Sequence, residues 1–246
     1  VAACDHDLHS PDDTRLAPDT VTGMSPPLQL VIFDCDGVLV DSEMLAAELE
    51  LELFAEIGMP MTAPEIAERF LGRSVAFVNA AIAEQLGGPL PDDWECYWED
   101  RYRAVLTERL RPIPGVAEAL EQITLPVCVA SSSAPESIAF KLSLCRLADR
   151  FGDRIFSATQ VRHGKPAPDL FLLAADRLNA DPARCAVIED SPVGLQAGRA
   201  AGMRTFAYAG GEMVARDRLD GDATIVFDDM RELPELLERE VRSGEM

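Results

Sequence analysis

Hydrophobic positions follow two rhythms along this chain. The first ordered signal is Leu28-Gln29-Leu30-Val31-Ile32-Phe33, a short run of strand formers that ends abruptly at Asp34-Cys35-Asp36-Gly37. From Ser42 the spacing turns helical: Leu45, Leu49, Leu53 and Ile57 recur every four residues until Gly58 and Pro60 stop the run. Further helices are predicted over 62–70, 74–86 and 92–110, separated by Gly or Pro breaks, and little between 42 and 111 reads as strand. The stripe of Trp94, Trp98, Arg101 and Tyr102 lies at helical spacing and reads as packing. Beyond Pro112 and Pro114, strand and helix alternate. Helices are predicted over 116–123, 135–144, 168–178 and 192–201, strands over 126–130, 155–157, 185–188, 204–208 and 224–227, and a terminal helix from about Met230. Such alternation predicts an α/β fold, a Rossmann-like parallel sheet covered by helices on both faces, with 42–111 as a helical insert behind the first strand. Residues 1–27, rich in Asp and Pro and without apolar periodicity, read as a disordered leader in which Met24 is a candidate natural start.

Composition narrows the functional classes. The 246 residues suit one medium domain, or a core with a smaller insert. A net charge of −21 opposes charge-driven attraction to nucleic acid or to an anionic membrane, so neither is expected as a partner. It leaves room for a small anionic substrate, provided a metal and one or two cations neutralise the local site. No apolar run approaches the ~18–20 residues that span a bilayer, and the N-terminus lacks the basic-then-apolar order of a secretory signal. The six cysteines are scattered without a C-x-x-C pair, a pattern that fits a reducing cytoplasm. A cytoplasmic protein is the expectation.

In an open parallel sheet, ligands bind beyond the carboxyl ends of the strands. Four such ends carry suitable groups: Asp34 and Asp36 after the first strand, Ser131 after 126–130, Lys165 in the loop after 155–157, and Glu189 with Asp190 after 185–188. Each alone has a plainer reading. D-x-D-G occurs in calcium loops, but Val38 stands at the fifth position and a strand, not a helix, precedes. Ser131, beside Ser132 and Ser133, could cap a helix, and so could Glu189-Asp190 before Pro192. Lys165 could be a loop lysine, one of only two in the chain with Lys141. Together, a cation, a hydroxyl and four carboxylates at four strand ends are hard to explain as separate caps.

From Leu28 to Phe227 the sequence resembles the haloacid dehalogenase superfamily of phosphohydrolases. Phe33-Asp34-Cys35-Asp36-Gly37-Val38-Leu39-Val40-Asp41-Ser42-Glu43 is similar to its first motif, Ala130-Ser131-Ser132-Ser133 to its second, Gly164-Lys165-Pro166 to its third and Ile188-Glu189-Asp190-Ser191 to its fourth. The insert resembles the helical cap of the subclass that includes beta-phosphoglucomutase and many sugar-phosphate phosphatases. The resemblance implies a core of 28–41 and 112–246, a cap of 42–111, and Mg²⁺-dependent hydrolysis of a small phosphorylated metabolite, a sugar or polyol phosphate, through an aspartyl-phosphate. It implies Asp34 as nucleophile and Asp36 as acid and then base. Asp34, Asp190 and the Asp36 carbonyl would hold the metal, with Glu189 as a weaker ligand or orienter of its water. Ser131, Ser132 and Lys165 would hold the phosphoryl oxygens, and Glu43 and Arg73 would face the substrate. A mutase or a non-catalytic binding protein on the same fold are the alternatives. Ala46 stands where the mutase has a cap histidine, and 42–111 contain neither His nor Lys, which favours transfer to water.

Overall fold

The computed structural model describes residues 26–70, 75–211, 216–219, 221 and 223–243. Residues 1–25 of the expected leader and Arg73 lie outside them. Six strands form one sheet: β1 (Leu30–Phe33), β2 (Val127–Ser131), β3 (Ile155–Ser157), β4 (Cys185–Glu189), β5 (Arg204–Tyr208) and β6 (Ile225–Phe227). All pairings are parallel and the order is β3-β2-β1-β4-β5-β6. Helices α1 (Glu43–Glu56), α2 (Ala63–Phe70), α3 (Val75–Leu86) and α4 (Trp94–Arg109) lie between β1 and β2 in the chain. The rest are α5 (Val116–Gln122), α6 (Pro135–Leu144), α7 (Ala148–Phe151), α8 (Asp169–Arg177), α9 (Pro192–Ala200) and α10 (Leu233–Ser243).

β1 is buried along its whole length, which is why it reads as an unbroken apolar run. Its side chains alternate between two cores. Val31 and Phe33 face the cluster built with Val129, Leu120 of α5, Ile138 and Leu142 of α6, Phe151 of α7 and Leu233 of α10. Leu30 and Ile32 face Cys128, Val187, Leu170 and Phe171 of α8 and Ala197 of α9. Helices therefore cover both faces. The chain steps from β1 outward to β2 and β3, then crosses back to β4 on the other side of β1. Strand order thus reverses at β1, the place where open parallel sheets form their ligand crevice.

Within the insert, Phe54, Met59, Ile66 and Ile82 make a separate small core. α4 serves both clusters: Trp94 packs on the insert's core, while Tyr102 and Val105 pack on the sheet's. Arg101 binds Glu56 and Glu52 of α1, and Arg109 binds Glu48. Within the stripe, Trp94 and Tyr102 are thus packing, as the spacing predicts, and Arg101 pairs with α1. The two segments that join insert and sheet lie side by side, with Asp41 N–H donating to Arg111 O (3.0 Å) and Ile113 N–H to Leu39 O (3.0 Å). The five described cysteines are free, and no helix among the described residues is long and apolar enough to cross a membrane.

Candidate active site

Register carries the four strand ends to one place. Phe33 lies opposite Val129 of β2 and Ile188 of β4, so the residues just beyond emerge at one edge of the sheet. Asp34 still follows the ladder, its N–H donating to Ile188 O (2.9 Å). Beyond it the chain closes a tight turn in which Val40 N–H donates to Cys35 O (3.1 Å) and Gly37 N–H to Val40 O (2.9 Å). Gly37 has φ of +77°, and a Cβ there would enter the carboxylate of Asp190. Glycine is required on both counts: it accepts the left-handed backbone and lets Asp190 lie against the turn.

Lys165 is the hub on this side. Its buried ammonium donates to Asp34 Oδ1, to Glu189 Oε1 (2.6 Å) and to Ala130 O (3.1 Å), and lies 5.0 Å from the centre of the Phe171 ring. The loop-lysine reading fails. Burial would lower its pKa, but Asp34 and Glu189 together raise it, so it stays charged. Burial, and to a lesser degree the charges of Glu189 and Asp36, push Asp34 up to about 7 against the pull of Lys165. Asp190, 8% exposed, receives no side-chain hydrogen bond among the described residues. Burial and then the carboxylates of Glu189, Glu43 and Asp34 hold it well above the usual range.

Glu189 is only 1% exposed, and both its oxygens are engaged. Oε1 takes Lys165; Oε2 accepts from Asp190 N–H (3.1 Å), Ser191 N–H (3.0 Å) and Ser191 Oγ (2.8 Å). This carboxylate lies directly over Gly194, where a Cβ would occupy its place. The cap of α9 is Ser191, which accepts from Gly194 N–H (3.1 Å), so neither Glu189 nor Asp190 fills that role.

Asp36 faces a second set of donors. Ser42 Oγ (2.5 Å) and Lys141 Nζ (2.5 Å) donate to Oδ1 and Ser133 Oγ (2.9 Å) to Oδ2. Burial alone would raise this carboxyl, but Lys141 and the two hydroxyls outweigh it and the net shift is downward. Lys141, Ser42 and Ser133 were not singled out from the sequence. The available signal was a lysine on the Ile138–Leu142 face of an otherwise apolar helix side. Ser131 ends β2, buried, and its Oγ accepts from Ser133 N–H (3.1 Å); the residue before α6 is Ala134 and no side chain caps that helix, so Ser131 is not a helix cap. Ser132 is exposed beside it. Glu43, the half-buried first residue of α1, is raised by burial and then by Asp36, Glu189 and Asp41.

The balance around Asp34 is therefore several carboxylates against one ammonium. No three His, Cys, Asp or Glu side chains among the described residues form a ready cluster for a metal. The available set, Asp34 and Asp190 with neighbouring main-chain carbonyls, consists of oxygen donors, and it suits a hard divalent cation that retains water in its remaining positions.

The sequence pattern of the haloacid dehalogenase-like hydrolases matches residues 28–202, and the chain belongs to that family. It is 34% identical over 190 residues to hexitol phosphatase B of Escherichia coli K12, covering 74% of this chain and 85% of the relative. It is 29% identical over 182 residues to 6-phosphogluconate phosphatase of the same organism, covering 74% and 82%. A haloacid dehalogenase family hydrolase of Deinococcus radiodurans R1, solved with bound phosphate and sodium, superposes with a TM-score of 0.71 at 33% identity, covering 87% of this chain and 96% of that one. The chain is a phosphoric monoester hydrolase on the fold that these relatives share.

Proposed function

We propose that the chain hydrolyses the phosphate ester of a small sugar or polyol, with Mg²⁺, through a phosphoryl group carried on Asp34. The observation that carries this reading is the pairing at the sheet's switch point: a buried carboxylate held by Lys165, with Asp190 packed against the same turn and facing no cation among the described residues. Hydrolysis of phosphate esters is slow without help, and most of the help is positioning and neutralisation of charge. Asp34, at a strand end with no freedom to withdraw, attacks phosphorus and splits the reaction into two displacements. Lys165 offsets the charge of Asp34 and of the phosphoryl oxygens, and Ser131, Ser132 and nearby N–H groups receive those oxygens. Asp34, Asp190 and the Asp36 carbonyl would hold Mg²⁺, which when bound supplies the positive charge that lets two anions meet. Glu189, already occupied by four donors, aims Lys165 and the 189–191 loop. Asp36 protonates the departing oxygen and then takes a proton from the attacking water. Helices α1 to α4 act as a cap that excludes bulk water, with Glu43 facing the substrate.

That two relatives are a hexitol phosphatase and a 6-phosphogluconate phosphatase supports the substrate class. Transfer back to a sugar phosphate, as in a mutase, is disfavoured by Ala46 and the absence of His and Lys from 42–111. The test is phosphate release from sugar, polyol and nucleoside phosphates with Mg²⁺, with EDTA, and by Asp34→Asn, with acid-quenched phosphoprotein measured in parallel. Metal-dependent release and phosphoprotein, both abolished in Asp34→Asn, are expected. Near wild-type turnover by Asp34→Asn sinks the mechanism.

A further inference from the structure

The proposed chemistry employs Lys165 and leaves the other lysine without a task. Lys141 is 2% exposed and projects from the apolar face of α6. An ammonium is kept in such a place only with a partner, because burying it alone is strongly unfavourable. Its partner is Asp36, at 2.5 Å, and the same ammonium donates to Ser133 Oγ at 3.1 Å. Ser133 passes its own hydrogen to the other oxygen of Asp36 at 2.9 Å. Two neighbouring elements, the loop after β2 and the last turn of α6, both about a hundred residues beyond Asp36, thus grip both oxygens of that side chain. α6 is itself held from outside by Arg103 of α4, stacked 4.1 Å over the Phe140 ring. Core packing alone does not call for this pair. An apolar side chain of similar volume at 141, with a neutral partner, is often as stable as a buried ion pair or more so.

We infer that Lys141, assisted by Ser133, is the positioning residue for Asp36: it fixes the side-chain torsions of the acid–base carboxylate two residues beyond the nucleophile. This rests on the reading of Asp36 as acid and base. Asp36 is ionised in the free site and takes up a proton as the phosphate monoanion binds; in the first displacement the Asp34 oxygen bonds to phosphorus, the ester P–O bond breaks, and the departing oxygen takes that proton. In the second, water bonds to phosphorus, the Asp34–phosphorus link breaks, and a proton of that water returns to Asp36. Lys141 exchanges no proton in either step. An Asp36 free to turn serves both poorly, and the first fails only where the leaving group needs a proton. Alkoxides do; 4-nitrophenolate leaves without one.

The experiment measures single-turnover leaving-group release by wild type, Lys141→Met, Asp36→Asn and the double variant. The probes are 4-nitrophenyl phosphate and whichever of glycerol 3-phosphate, sorbitol 6-phosphate and glucose 6-phosphate the wild type hydrolyses fastest. Lys141→Met is expected to lose about 100-fold with the alkyl ester and less than about threefold with the aryl ester, and to add nothing further to Asp36→Asn. Equal losses with both esters, or additive losses in the double variant, would show a merely structural lysine. An unimpaired Lys141→Met beside an impaired Asp36→Asn also overturns the inference. An unimpaired Asp36→Asn instead overturns the acid–base assignment beneath it. If Lys141→Met does not fold, Ser133→Ala keeps the ion pair and removes the Oδ2 contact. It is expected to show the same leaving-group pattern at about tenfold, and a uniform loss there overturns the inference equally.

Discussion

Replacing Gly194 by alanine tests how tightly Glu189 is held. The new methyl would occupy the space of the Glu189 carboxylate, and that carboxylate has nowhere to go without losing partners. Turning it away sacrifices contacts to Lys165 Nζ (2.6 Å), Asp190 N–H (3.1 Å), Ser191 N–H (3.0 Å) and Ser191 Oγ (2.8 Å). Hydrogen bonds to charged groups are worth ~1.5–3 kcal/mol each, and a buried ion pair broken on one side costs ~3–5 kcal/mol. These terms are not additive, and a displacement of α9 offers a cheaper route of ~1–3 kcal/mol of overpacking that loses only some contacts. Alanine's better helix propensity returns up to ~1 kcal/mol. The net expectation is ~3 kcal/mol of destabilisation, a fall in Tm of roughly 6–12 °C for a chain of this length. Turnover falls about tenfold or more, because Lys165 loses one of its three acceptors. Thermal unfolding by circular dichroism, with steady-state hydrolysis, reads both. The decisive comparison is the same substitution in a Glu189→Ala background, where the space is vacant and the added methyl costs nothing. Additive losses in that cycle, or a Gly194→Ala protein that melts within about 2 °C of wild type, would refute the packing argument.

Two further outcomes follow from the excess of carboxylates over cations in the site. Asp34 is raised to about 7 in the folded protein against about 3.9 unfolded, so between these values the native state holds a proton that the unfolded chain has released. Metal-free protein should therefore lose stability as pH rises from about 4 to about 7, by at most ~1.4 kcal/mol per pH unit for one such group, and Mg²⁺ should raise Tm more at pH 8 than at pH 5. Melting curves across pH with and without Mg²⁺ check this; a Mg²⁺ shift that is larger at pH 5 contradicts it. Asp190→Asn removes a buried carboxyl that faces other carboxylates and no cation, and should raise the stability of metal-free protein at pH 8 by ~1–2 kcal/mol while abolishing both hydrolysis and the Mg²⁺-dependent shift. Retention of the Mg²⁺ shift in that variant would remove Asp190 from the metal site.

The strands were legible because a sheet buried on both faces demands unbroken apolar runs, and Leu30 to Phe33 or Val127 to Ser131 can hardly be anything else. That the strand ends share one edge followed from a parallel sheet, whereas strand order and register, set by long-range pairing, did not show in the sequence. Local closures were harder to read. α7, Ala148–Phe151, is a single turn too short to show a period, and the run from Met230 opens with a 3₁₀ turn capped by Asp229 before α10 begins. Lys141 was visible only as a rare residue type. What makes it part of the site is that α6 returns it to the turn after β1, a contact between residues 105 positions apart that no spacing rule anticipates. Glu189 shows the opposite limit: its place after β4 was plain, and three of its four donors come from the next two residues, but that their loop closes back on the carboxylate, and that Lys165 reaches it from 24 positions away, is not written in any spacing.

The side-by-side joining segments decide how the four helices can move over the sheet. Two separate tethers would allow swivel, tilt and slide, whereas Asp41 bonded to Arg111, and Leu39 to Ile113, make the two connections a single ribbon. A paired connection leaves bending as the easiest displacement of the helices, and the packing of Leu45, Tyr102 and Leu106 on the sheet's core opposes even that. Ser42 stands just beyond the pairing with its hydroxyl on Asp36, so a displacement there is felt first at that carboxylate.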